Sequence, residues 1–73
     1  MEKVTVYVRM LDEGTDVFRP TQAERLSTGA YRLLPTPDYD PDDENWEFMP
    51  HETVRCERMK LAAGERLVAV SRA

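Results

Sequence analysis

The chain has 73 residues, a single cysteine, and a formal charge of −4. At this size one domain with one modest core is expected, burying about 60% of the surface its unfolded form exposes, which leaves little room for a deep catalytic cleft. One cysteine excludes an internal disulfide framework and a four-cysteine zinc site, and the acidic balance argues against duplex nucleic acid as a partner, since phosphate neutralisation needs a basic face.

Val4, Val6, Val8 and Met10 alternate with Thr5, Tyr7 and Arg9, a period of two that places the aliphatic set on one face of a strand. Leu11 to Thr15 then reads as a turn around Gly14, leading into a second strand that starts at Asp16-Val17-Phe18-Arg19. Pro20 has no backbone donor, so this strand must lie at an edge or bulge there. Thr21-Gln22-Ala23-Glu24 also fits a helical capping box, but Ser27-Thr28-Gly29 would end such a helix after barely two turns, so extended structure is preferred. Ala30 to Leu34 forms the next strand, ended by Pro35 and Pro37.

Residues 35–45, rich in Pro and Asp, are expected to loop over the surface. Trp46-Glu47-Phe48 resumes the strand alternation, Met49-Pro50-His51-Glu52 turns the chain, and Thr53 to Met59 sets Val54 and Cys56 against Arg55 and Glu57. Residues 54–63 have a competing helical reading, capped by Thr53 and ended by Gly64, which would give an α+β fold. A last hairpin turns at Ala63-Gly64-Glu65 into Arg66-Leu67-Val68-Ala69-Val70. Five or six short strands over residues 1–73 suit an all-β domain, an SH3-like barrel first and an OB-like barrel second, because closure removes exposed sheet edges.

Charge is distributed unevenly. From Asp38 to Glu47 there are six acids and no Lys or Arg, a local charge of −6, whereas the remaining eight acids and ten bases leave +2. Asp38-x-Asp40-x-Asp42 has the alternate spacing of a calcium loop, but Asp43 stands where that loop needs Gly and Met49 where it needs a bidentate Glu. No metal or cofactor is therefore expected. An acidic recognition surface is the alternative to a solvated loop, with Asp38, Tyr39, Asp40, Asp42, Asp43, Glu44 and Trp46 as its candidate binding residues.

Trp46 and Phe48, two residues apart, point to one side, and large rings in so small a barrel belong first in the core. The competing reading makes Trp46, with Tyr39 or Tyr31, an open aromatic wall for a proline-rich or cationic segment. Arg19, Arg32 and Arg55 fit cross-strand ion pairs, or else a patch for a carboxylate or phosphate. Cys56 and the sole histidine, His51, read as a structural thiol and a turn residue rather than a nucleophile and its base. With no phosphate loop, nucleophile elbow or zinc helix, an enzyme is not expected.

Glu13-Gly14-Thr15, Phe18-Arg19-Pro20, Tyr31-Arg32, Asp42-Asp43-Glu44, Trp46-Glu47-Phe48, Pro50 and Val54-Arg55-Cys56-Glu57 together resemble a family of short, functionally uncharacterised bacterial proteins. The resemblance spans nearly the whole chain and implies a stand-alone SH3-like β domain of bacterial origin, with no activity to transfer. Phe18 stands where the family has Trp, and Pro50-His51 where it has a Pro-Gly turn.

The expectation from these readings is a cytoplasmic interaction module, monomeric or weakly dimeric, that binds a basic or Arg/Pro-containing segment of another protein, without nucleic acid or membrane as a partner. The N-terminus lacks a signal-peptide pattern and no apolar run is long enough to span a bilayer. Runners-up are a small acidic inhibitor of the immunity-protein or nucleic-acid-mimic kind, and a structural homo-oligomeric subunit.

Overall fold

In a computed structural model, described for residues 2–11 and 17–73, the chain is all-β: five strands closed into one barrel in the sequential order β1-β2-β3-β4-β5. The strands are β1 (Lys3–Met10), β2 (Val17–Ser27), β3 (Ala30–Leu33), β4 (Thr53–Leu61) and β5 (Gly64–Arg72). Each pairs antiparallel with the next, and a parallel contact between β1 and β5 at Tyr7 and Val68 closes the ring. The strands follow one another as an unbroken meander, within the small SH3- or OB-like barrel class expected from the sequence. The helical reading of residues 54–63 is overturned, because nearly all of that segment lies in β4 and pairs along β5. Among the described residues no helix is long and apolar enough to cross a membrane.

The alternation of β1 decides its placement: Val6 and Val8 are fully buried, and Val4 and Met10 pack against the same core. Thr21 and Ala23 of β2, Tyr31 and Leu33 of β3, and Val54 of β4 complete the inward faces. Thr21, the buried polar residue, donates its hydroxyl to the Leu34 carbonyl at 2.5 Å, so its burial leaves no unmet donor. Pro20 is tolerated because only one edge of β2 is paired there; β3 joins the other edge from Ala23 onward.

Thr28-Gly29 links β2 to β3, with Gly29 at φ 79°, a conformation that needs the missing Cβ. The β4–β5 turn falls one residue earlier than the sequence suggests. Leu61 pairs with Gly64 across Ala62-Ala63, and Gly64 takes φ 120° as the first residue of β5. The expected turn at Leu11–Thr15 and the start of the next strand at Asp16 lie mostly outside the described residues.

One expected strand is much reduced. Trp46-Glu47-Phe48 makes an isolated bridge, Trp46 to Met10, extended by the bonds Leu11 N–H to Asn45 C=O (2.6 Å) and Glu47 N–H to Arg9 C=O (2.8 Å). Pro50 prevents further pairing, since the chain turns at Met49–Glu52 to enter β4. The segment still closes the loop end of the barrel, with Trp46 and Phe48 both buried in the core.

Candidate functional site

The segment between β3 and β4 carries the acidic residues and is fastened to the barrel from within. Trp46, 2% exposed, is among the largest fully buried side chains. Its indole N–H donates to Glu44 Oε1 at 3.1 Å, and the Tyr39 ring meets it edge-on, with centroids 4.9 Å apart and planes at 64°. The open aromatic wall is therefore corrected: Trp46 supports the loop and offers no surface to a partner. Tyr31 is in the core too, on β3, and contributes nothing to such a wall.

Arg19 of β2 ties the loop down from outside. Its guanidinium pairs with Asp38 at 2.9 Å and with Glu44 at 3.4 Å. Hydrogen bonds from Thr36 and Arg19 hold the exposed Asp38 carboxyl below its ordinary range. Glu44 thus serves both Trp46 and Arg19, and its side chain is only 13% exposed. It acts as a structural bracket rather than a contact residue.

Asp40 shapes the tip. Its carboxylate accepts from the Asp42 N–H at 2.9 Å, and its carbonyl accepts from the N–H groups of Asp43 (3.0 Å) and Glu44 (2.9 Å). A local turn of this kind leaves the next side chains pointing outward. Asp42 and Asp43 are exposed, and among the described residues their carboxylates meet no hydrogen-bond or ion-pair partner. No cluster of three or more His, Cys, Asp or Glu is arranged to hold a metal ion among the described residues.

Beside this tip lies a shallow apolar groove of about 290 Å³ lined by Pro35, Tyr39, Pro41, Met49, Pro50 and His51. Sequence reasoning took Tyr39 but missed Met49 and the prolines; the proline spacing was the available signal, read only as a mark of a loop. His51 has φ 75° and follows Pro50 in a turn closed by Glu52 N–H to Met49 C=O at 3.2 Å. Proline at the second and a positive φ at the third position are the marks of a type II turn. Glu52 locks the same turn: it accepts from the Met49 N–H at 2.5 Å and from Arg72 at 2.7 Å, which together hold its carboxyl below the usual value of 4.5.

Arg32 forms the expected cross-strand pair, with Glu24 at 2.5 Å, whereas Arg55 makes no ion pair among the described residues. Arg19 pairs with the loop instead of a neighbouring strand. Burial pushes the Cys56 thiol up to about 11, so at neutral pH it is protonated and a poor nucleophile. No family model, curated protein or solved structure matches the chain.

Proposed function

We propose that this protein is a non-enzymatic interaction module of the cytoplasm that captures a basic, Arg- or Pro-containing segment of another protein. One observation carries the reading: Tyr39 and Pro41 of the acidic loop also line the apolar groove, so free carboxylates and an apolar trough form one continuous surface. Prolines and tyrosine side by side suit an extended proline-containing peptide, which binds with little loss of conformational freedom. Asp42 and Asp43 at the rim would attract its Arg or Lys residues and speed encounter. The bracing by Trp46, Arg19 and Glu44 supports this reading, because a rigid surface loses less entropy on binding. Membership of the resembled bacterial family belongs to the same proposal.

The test is affinity capture with the full chain at low and high salt, beside Asp42→Asn with Asp43→Asn and, separately, Met49→Ala. Glu44 is left intact because changing it would disturb the loop itself. A partner bound at low salt should be released at high salt and lost with either variant. Capture that is indifferent to both variants would place the contact elsewhere. If the captured protein is a nuclease or toxin and binding abolishes its activity, the inhibitor reading replaces the adaptor reading.

A further inference from the structure

The geometry points to a second ligand site, at the opposite end of the barrel from the acidic loop, that binds a small oxyanion carried on a planar ring. β1 runs from this end, at Val4, to the loop end at Met10, and β5 begins here. β1 and β5 share the single ladder pair Tyr7 and Val68. Below that pair the two strands part and leave a pocket of about 540 Å³, within the size range of small-ligand sites.

The arginines at this end lack the close carboxylate that several of the others have. Arg32, Arg72 and Arg19 are each closed by a carboxylate at 2.5, 2.7 and 2.9 Å. Lining the pocket are Arg25, Arg58 and Arg66, with Glu65 as the one carboxylate of the lining. Arg25 has only a long, exposed contact with Glu2 at 3.4 Å, and Arg58 meets no hydrogen-bond or ion-pair partner among the described residues.

Arg66 is held without being neutralised. Its Nε donates to the Tyr7 hydroxyl at 3.3 Å, Nη1 to the Glu65 carbonyl at 2.9 Å and Nη2 to the Ala63 carbonyl at 3.1 Å. Three of its five N–H groups are used on neutral acceptors, which fixes the fork and leaves two donors and the full positive charge. Three guanidinium groups against two carboxylates, Glu65 in the lining and Glu2 at the long contact to Arg25, leave a net positive charge that favours an anion, and two oxygens of a phosphate or carboxylate match the fork. Tyr7, Tyr31, Val4 and Leu67 also line the pocket, so a bare ion would leave much of it unused.

The experiment is an amide NMR titration of the full chain with adenosine monophosphate, benzoate and inorganic phosphate at fixed ionic strength. The first two separate a ring-borne phosphate from a ring-borne carboxylate, and the third carries no ring. Saturable shifts at Tyr7, Tyr31, Arg58 and Arg66 are expected with at least one ring-bearing anion, at a dissociation constant below about 1 mM. That anion should bind about tenfold more weakly to Arg58→Ala and to Arg25→Ala, both exposed positions, and unchanged to Asp42→Asn with Asp43→Asn. The last variant keeps this site's fate separate from that of the loop. Lack of saturation would overturn the proposal, as would inorganic phosphate binding as tightly as the ring-bearing anions. Concentration-dependent shifts at both the pocket and the acidic loop without ligand would also overturn it, showing that a second copy fills the pocket.

Discussion

Truncating Trp46 tests the account of the loop most directly. A buried indole removes about 150–250 Å² from water, which at about 25 cal/mol per Å² is roughly 4–6 kcal/mol. That is an upper figure, because unfolded chains already bury part of their surface, and buried aromatic truncations cost about 3–5 kcal/mol. Trp46→Ala also removes the edge contact with Tyr39 and leaves Glu44 without its indole donor. A domain of this length has a total stability of about 4–11 kcal/mol, so the variant should sit at or near the folding threshold. The melting temperature should fall by at least about 12 °C, taking about 4 °C per kcal/mol as the lower conversion. Trp46→Phe keeps most of the ring and loses the bond to Glu44, so it should fall in between, at a cost of about 1.5–3 kcal/mol. Urea and thermal unfolding followed by far-ultraviolet circular dichroism reads both without needing the indole as reporter. A melt of Trp46→Ala within a few degrees of the parent would refute the placement of the ring and the bracing built on it.

Tyr39→Phe should behave in the opposite sense. The Tyr39 hydroxyl is buried and has no hydrogen-bond partner among the described residues, so removing it should raise stability by about 1 kcal/mol, read as a higher urea midpoint. At His51, where φ is 75°, His51→Gly should raise the melting temperature by a few degrees and His51→Ile should lower it. Acid should weaken the fold through Glu52, Glu24 and Asp38, whose folded-state pKa values are depressed. Such groups stabilise above their unfolded values and lose that contribution as pH falls through the folded ones, so the midpoint should drop below about pH 4.5. Glu52→Gln should flatten the drop, and an unchanged acid slope would show that the turn does not depend on the carboxylate.

Local signals carried most of the fold. The alternation of Val4 to Met10 specified a strand and its inward face, Gly29 marked the β2–β3 turn, and the stops at Pro35 and Pro50 bounded the long connection. Residue spacing could show that Trp46 and Phe48 share a side, but not how little of the segment would pair, because pairing depends on where the end of β1 lies. The same limit applied to the loop. Glu44 looked like one more carboxylate in a run, and its role emerges only once Arg19 is brought beside it from 25 residues away. The groove was half legible, through Tyr39 alone. The arginine pocket was not legible at all, since Tyr7 and Arg66 stand 59 residues apart and meet through closure of the barrel.

That closure has a consequence for how the molecule assembles. Among the described residues every other pairing of the five strands joins sequence neighbours, whereas Tyr7 and Val68 must find each other across almost the entire chain. Bringing such ends together costs about 3.6 kcal/mol from the logarithmic dependence on chain length alone, and one ladder pair with the Arg66–Tyr7 bond beside it is a short seam to offset that cost. The hypothesis that follows is a row of hairpins formed early and clasped late, with the clasp the first part to let go. Native-state hydrogen exchange should then show the amides flanking Tyr7 and Val68 opening at lower free energy than those of Val54 and its β5 partners. Uniform protection around the ring would mean instead that the barrel opens only as a whole.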